Sequence, residues 1–254
     1  MKNLYLAIWY GCNQRCIGCP IFHNENKAHS LTVEDIRGFL DQIPEAQYRD
    51  GISVTISGGE PTLHPDFFEI LDELRSRDVE VCILTNADAF GNREYCDAFL
   101  QHVDILRTFV VTTIHGSNAE IHEAQNGTPG SLDRSISGLQ YLSFRGLNVS
   151  IKHCITGKNY EDTADFIRFI DDRFHPSVDI QLWGIDYAGL TREQAANLYL
   201  PFSQMQEKIE EALDVYLEIR SRNYRRISLH NIPLCALDPY YWNLMPDVTE
   251  QDFC

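Results

Sequence analysis

The 254-residue chain has no apolar run approaching the roughly 20 residues that a membrane-spanning helix needs. Its opening, MKNLYLAIWYGC, holds one lysine and an apolar stretch too short for a secretory signal. Positive charge is scarce, with 21 Lys and Arg against 37 Asp and Glu and a formal net charge of −16 at pH 7. Phosphate backbones and anionic lipid repel such a chain, so nucleic acid and membrane surfaces are disfavoured and a neutral or basic ligand is favoured. Low-complexity linkers and solenoid repeats are also missing. With 44% hydrophobic residues the chain can bury a substantial core and carries no compositional sign of disorder. The expectation is a cytoplasmic protein made of one large domain, or one domain with a modest appendage. In that reducing compartment its eight cysteines are expected as metal ligands or buried thiols rather than disulfides.

What the chain does have is a regular alternation of strand-like and helix-like segments. LYLAIW (4–9) precedes a helix over 32–42; GISVTIS (51–57) precedes an amphipathic helix over 64–77; VEVCILTN (79–86) precedes a helix over 92–101. ILRTFVVTTIH (105–115) is followed by a helix over 132–145, LNVSIKHCIT (147–156) by a helix over 160–172, and VDIQLWGI (178–185) is the sixth strand. This order predicts an α/β fold with a parallel sheet, closed or partly closed into a (β/α)6 barrel. Ligand sites in such folds lie at the C-terminal strand ends, here YGC, SGGEP, TNA, TIHG, CIT and LWGI. From about residue 186 the pattern changes. Phe202, Met205, Ile209, Ala212, Tyr216 and Ile219 recur at helical spacing, which predicts a helix packed on the core, followed by a short segment and an irregular tail. The expected division is a core over 1–185 and a helical C-terminal extension over 186–254.

YGCNQRCIGCP (10–20) sets Cys12, Cys16 and Cys19 within eight residues. Three sites suit such thiols. A structural zinc ion needs four ligands, and His23 could complete a Cys3His set. A ferredoxin-type cluster uses other spacings and a nearby fourth cysteine. The third option is an iron–sulfur cluster with one iron left without a protein ligand, an open position where chemistry can occur.

The CxxxCxxC pattern CNQRCIGC after the first strand, the GGEP of Gly58, Gly59, Glu60 and Pro61 after the second, and the stretch from His115 to Asn159 together resemble the radical SAM superfamily. That stretch, HGSNAEIHEAQNGTPGSLDRSISGLQYLSFRGLNVSIKHCITGKN, is similar to the branch that contains many peptide-modifying members, those related to SPASM proteins. The resemblance covers roughly residues 1–185. It implies a partial six-stranded barrel and a [4Fe-4S] cluster held by Cys12, Cys16 and Cys19. It also implies S-adenosyl-L-methionine bound through its amino and carboxylate groups to the fourth iron. One-electron reduction would then cleave S-adenosylmethionine to a 5′-deoxyadenosyl radical, which takes a hydrogen atom from the substrate. The electron would come from a flavodoxin or ferredoxin. In SGGEP, the residues Ser57 to Pro61 are the expected contacts for the methionine ammonium, with glycines for close backbone approach and Glu60 for charge. One departure stands out. The family usually has an aromatic residue before the third cysteine, where this chain has Gly18, expected to reach the adenine through its backbone alone.

Alternation sorts the later strands. Val149, Ile151 and Ile155 are expected to face the helices together with His153, leaving Ser150, Lys152, Cys154 and Thr156 inward. An inward Lys152 is costly unless it meets an anion, and the carboxylate of S-adenosylmethionine or of a substrate would serve. Thr113 and His115 stand where the family often has a serine and an aspartate; Thr113 is expected near the cofactor, and His115 as a substrate contact or a cap. Asn86 closes TN much as the family's TNG does, and Gln181 and Trp183 are candidates to line the substrate cavity. Cys82 and Cys96 read as buried thiols. Cys235 and Cys254, without a CxxC, cannot alone complete an auxiliary cluster and would need Cys154 or a ligand from elsewhere. Three functions remain open: hydrogen abstraction from a peptide or small molecule, activation of a glycyl-radical enzyme, and a non-catalytic zinc or iron–sulfur module.

Overall fold

The computed structural model describes residues 2–21, 30–49 and 51–244. Contacts divide the chain into two compact units. The first is Met1–Gln14, Ile21–Thr112 and Asp133–Val149; the second is Arg15–Pro20, Thr113–Leu132 and Ser150–Cys254.

In the first unit β1 (Lys2–Trp9), β2 (Ile52–Gly58), β3 (Glu80–Thr85) and β4 (Thr108–Thr113) pair in sequence order, every pair parallel. Helices α1 (Val33–Leu40), α2 (Glu45–Arg49), α3 (Phe67–Ser76) and α4 (Arg93–His102), and most of α6 (Ser131–Phe144), complete it. The strands alternate as a sheet with one wet face must. Val54, Ile56, Val81, Ile83 and Val110 are buried, whereas the opposite face carries the cross-strand row Tyr5, Thr55, Cys82, Phe109. Tyr5 and Phe109 on that row are exposed. The helices begin where capping chemistry allows. Thr32 and Asp35 form a reciprocal capping box on α1, and Asn92 accepts from Tyr95 N on α4. Phe67, Ile70, Leu71 and Leu74 of α3 are buried, each worth roughly 1.5–3 kcal/mol against exposure. Phe67 stacks on Phe99 of α4 with centroids 6.3 Å apart.

In the second unit β5 (Asn148–Ile155), β6 (Asp179–Gly184) and β7 (Ile227–His230) are parallel in sequence order. Beyond β4, Ile114 N–H donates to the Lys152 carbonyl of β5. Around the strands lie α5 (Ala119–Asn126), α7 (Thr163–Arg173), α8 (Arg192–Leu198) and α9 (Phe202–Arg220). The expected stripe on α9 is buried at Met205, Ile209, Ala212, Tyr216 and Ile219. It packs on α7, and Phe202 at its start stays half-exposed.

The α/β class stands, with four elements beyond the expected strands and helices. β7 falls in the short segment expected after the helix that carries Phe202 to Ile219; α2, α5 and α8 fall in stretches to which the sequence assigned no element. Among the described residues no helix is long and apolar enough to cross a membrane.

Arg225, at 1% exposure, ties several elements of the second unit together. Its Nη1 donates to the Val178 carbonyl at 2.6 Å and its Nη2 to the Phe174 carbonyl at 2.7 Å, closing the end of α7 and the approach to β6. Its Nε meets Asp171 Oδ1 at 3.4 Å, an oxygen that also accepts from Asn223 Nδ2 at 3.0 Å. Removing the guanidinium leaves buried acceptors bare. Arg225→Met is therefore expected to lose about 3–5 kcal/mol of unfolding free energy in a urea titration. A loss below about 1 kcal/mol would refute this account of the tie.

Candidate functional site

Each unit contributes strand ends that the sequence marked. In the first unit the SGGEP turn lies against the backbone that enters the cysteine loop. Gly59 N–H donates to the Trp9 carbonyl at 2.6 Å, and Glu60 N–H to the Gly11 carbonyl at 2.8 Å. A Cβ at Gly58 would strike the Trp9 carbonyl, and one at Gly59 the carbonyls of Gly11 and Tyr10. Gly58 also sits at φ +131°, which side chains rarely adopt. Both glycines thus have a reason inside the chain itself: close packing of one strand end on the next. Ser57 is buried and its Oγ accepts from Tyr5 OH at 2.6 Å. Pro61 opens a short 3-10 turn, Pro61–Leu63.

Glu60 is 1% exposed. Its carboxylate accepts from Thr62 N at 3.1 Å, Thr62 Oγ1 at 2.6 Å, Thr85 Oγ1 at 2.7 Å and Asn86 N at 2.6 Å. Burial pushes its pKa up, and these bonds pull against that rise. The charge expected to face a ligand ammonium thus ties β2 to the end of β3. Asn86, anchored by that bond, donates from Nδ2 to Asn13 Oδ1 at 2.9 Å and lies 3.9 Å from Cys12 Sγ. Gln14 N–H donates to the same sulfur at 3.4 Å. Donors around a sulfur favour the thiolate that iron requires. Asn13 Nδ2 continues the chain to Asp88, held in turn by Arg134 at 2.8 Å. Asn13, Asp88 and Arg134 went unmarked in the sequence, where only TN of TNAD gave a signal.

In the second unit the loop carrying Cys16 and Cys19 is held by its backbone. Arg15 N–H donates to the Asn126 carbonyl at 2.8 Å and Ile17 N–H to the Gln125 carbonyl at 2.9 Å. These are last-turn carbonyls of α5, which lack partners within their own helix. Gln125 and Asn126 are buried, and their side chains are spent holding α5. Gln125 Nε2 donates to the His115 carbonyl at 3.3 Å, while the Asn126 amide reaches His122 Nε2 at 2.8 Å and Ser131 Oγ at 2.9 Å.

The β5–β7 face follows the expected alternation. Register sets Lys152 beside Gln181 and Ser228, and Cys154 beside Trp183 and His230. The Lys152 ammonium lies 3.7 Å from the Trp183 ring centroid, and His230 stacks on that indole at 4.3 Å. Trp183 Nε1 donates to Gln181 Oε1 at 3.1 Å, and Gln181 Nε2 to Ser150 Oγ at 2.9 Å. Trp183 belongs to this polar face and not to the apolar core. His153 is buried among the apolar set, stacked on Phe166 at 4.1 Å with Nδ1 on the Ile114 carbonyl, as expected of a packed histidine. Burial and the Lys152 ammonium act on the Cys154 thiol in opposite senses, and burial wins, raising its pKa. Thr113 ends β4, half-buried. His115 Nδ1 is buried with no hydrogen-bond partner among the described residues, which leaves it no capping role through that atom.

Cys12, Cys16, Cys19, Cys82, Cys96 and Cys154 form no disulfide. Cys96 is buried, whereas Cys82 is half-buried and its thiol is pushed up to about 11 by burial. Among the described residues no three His, Cys, Asp or Glu side chains form a group that could hold a metal ion. His23 and Cys254 lie outside the described residues.

A family model described as the radical SAM superfamily matches residues 6–172. The chain belongs to the radical SAM superfamily. Members of this superfamily are enzymes that use a [4Fe-4S] cluster and S-adenosylmethionine. The mycofactocin maturase MftC of Mycobacterium tuberculosis is 28% identical over 166 residues, covering 62% of this chain and 38% of that protein. The AdoMet-dependent heme synthase of Methanosarcina barkeri is 29% identical over 153 residues, 60% of this chain and 42% of its own. The fold is shared with Streptococcus suis SuiB, solved bound to its precursor peptide SuiA, at TM-score 0.70 and 18% identity over 90% of this chain and 48% of SuiB. The chain thus spans less than half the length of each of these relatives.

Two outcomes follow from the geometry. Glu60→Gln sets an amide nitrogen against donors, so it is expected to cost about 1–3 kcal/mol in chemical denaturation, and an unchanged midpoint would contradict the tie. The second concerns acid. Burial holds His115 down to about 3, and His122 and His153 down to about 4. Unfolded, each titrates near ~6.5, so the unfolded chain binds more protons between these values. The stability these histidines lend is complete above ~6.5 and is lost as pH falls toward their folded values. Urea midpoints measured stepwise from pH 7 to about 4 should fall, more shallowly in His153→Phe; a flat profile would contradict the burial of all three.

Proposed function

We propose that this chain is a radical SAM enzyme that reductively cleaves S-adenosylmethionine and abstracts a hydrogen atom from a peptide, within the maturation of a peptide natural product. The observation that carries the cofactor half is the thiolate environment. Cys12 Sγ accepts from Gln14 N–H with Asn86 Nδ2 3.9 Å away, and the loop bearing Cys16 and Cys19 is held through the backbone of Arg15 and Ile17. In this reading Cys12, Cys16 and Cys19 hold the cluster. When bound, cluster and S-adenosylmethionine together supply a primary carbon radical able to break a C–H bond.

The chain's own residues orient and enclose. Glu60 fixes the SGGEP turn so that the backbone of Ser57 to Pro61 faces the methionine end, with Asn86 steadying Cys12 from behind. Lys152, whose ammonium lies over the Trp183 ring, takes the carboxylate of S-adenosylmethionine or of the substrate in this reading. Thr113 lies by the ribose or carboxylate and the backbone of Gly18 by the adenine. His115, kept neutral by burial, contacts substrate. Residues 1–185 are the catalytic core and 186–254 its helical extension. The protein works in the cytoplasm with a flavodoxin or ferredoxin as donor.

The peptide reading is supported by the likeness to SuiB, solved bound to its precursor peptide SuiA, and by an acidic chain that suits a basic peptide. Anaerobically reconstituted protein given dithionite and S-adenosylmethionine should release 5′-deoxyadenosine, and Cys16→Ala should release none. Equal release from both would reject the ligand assignment. Co-expression with short peptides encoded next to the gene, followed by mass measurement, tests the substrate class.

A further inference from the structure

Helix α8 lies beyond the residues matched by the family model, yet it grips the cysteine loop within the second unit. Gln194 Nε2 donates to the Ile17 carbonyl at 3.0 Å. Leu198 Cδ1 lies 3.0 Å from where a Cβ on Gly18 would stand, and Leu198 is 1% exposed. Before the helix, Gly189 at φ +80° packs so that its own Cβ would lie 3.0 Å from Pro20 Cβ. After it, the Leu198 carbonyl accepts from Gly157 N–H at 3.0 Å, which anchors α8 beyond the end of β5. Ile17 stands between Cys16 and Gly18. Its N–H is taken by the α5 carbonyl of Gln125 and its carbonyl by Gln194 of α8. Two helices therefore fix both backbone polar groups of one residue that lies between two of the three cysteines.

We propose that α8 is a buckle on the cysteine loop, with Gln194 and Leu198 as positioning residues that set Cys16 and Cys19 for the cluster. This rests on the reading of Cys12, Cys16 and Cys19 as its ligands. Gln194 has a double role that makes the idea testable. Its Oε1 accepts from Thr191 N at 3.0 Å, completing the capping box of α8, while its Nε2 alone reaches the loop. Gln194→Glu keeps the cap and sets a carboxylate oxygen against the Ile17 carbonyl. The helix stays and the grip goes. The second handle is volume. Gly18→Ala forces Leu198 to give way, and Leu198→Ala makes the room, so the two changes offset each other if the contact matters.

The experiment uses the full chain, reconstituted without oxygen, as wild type and as Gln194→Glu, Leu198→Ala, Gly18→Ala and the Gly18→Ala/Leu198→Ala double variant. It reads iron and sulfide per chain, the rate at which a chelator strips iron, the electron paramagnetic resonance spectrum of the reduced cluster, and thermal unfolding. Gln194→Glu is expected to unfold as wild type does, yet to lose iron about fivefold faster with an altered spectrum. Leu198→Ala should also lose iron faster, and the double variant should lose it more slowly than Gly18→Ala alone. Should Gln194→Glu unfold early, the comparison of Gly18→Ala with the double variant decides, equal rates overturning the buckle. Wild-type protein that takes up no cluster would sink the ligand reading itself. Wild type that holds a cluster, with Gln194→Glu and Leu198→Ala losing iron at its rate, would overturn the buckle and leave that reading intact.

Discussion

A loop that must offer three thiolates cannot also satisfy its own backbone, because it has neither a helix ladder nor a strand partner along its length. The structure answers this constraint locally, and the neighbouring elements are shaped by it. Within the first unit the carbonyls of Trp9 and Gly11 are met by Gly59 and Glu60 N–H, which demands glycine at 58 and 59. Within the second unit the N–H groups of Arg15 and Ile17 are met by the frayed carbonyls of α5, and the Ile17 carbonyl by Gln194. Both arrangements use groups that would otherwise be orphans at a strand end or a helix end. At Cys12 the sulfur accepts from Gln14 N–H and lies 3.9 Å from Asn86 Nδ2.

That economy explains what could be read from residues alone. Strand and helix periodicity announced six of the seven strands among the described residues and the larger helices, because each buries an apolar set at spacing 2 or 3.6. α5 escaped because the face it buries is polar: His122, Gln125 and Asn126 are inside through hydrogen bonds, which leave no hydrophobic stripe to find. β7 escaped because four residues behind RR give too short a pattern. The alternation on β5 and β6 was legible, including the packed His153 and the inward Lys152 and Trp183. The stacking of His230 on Trp183 depends on β7 and was not. Glu60 shows the same limit in another form. GGEP marks the position, but its partners Thr85 and Asn86 lie more than twenty residues on, where only strand register can bring them.

The β5–β7 face is also unusual energetically. A lysine, an indole, an imidazole, two serines, a glutamine and a thiol line one side of three neighbouring strands. In a face meant only for packing, each polar group would cost free energy unless paired. Here they are paired serially: ammonium on indole, indole N–H on glutamine, glutamine on serine. Such a chain holds its geometry through its own side chains.

Gly18 brings these strands of reasoning together. Judged by motif alone it is a defect, a missing aromatic surface beside the third cysteine. In the structure the space above it is held by Leu198, which reaches it from a helix outside the family's matched region. A Cβ at 18 would press on Leu198 Cδ1 at 3.0 Å, so a larger residue there would require Leu198 to shift. The small residue in the loop and the large residue on α8 are therefore one choice made at two places in the chain. The departure from the motif meets a contact made by α8, beyond the family's matched residues.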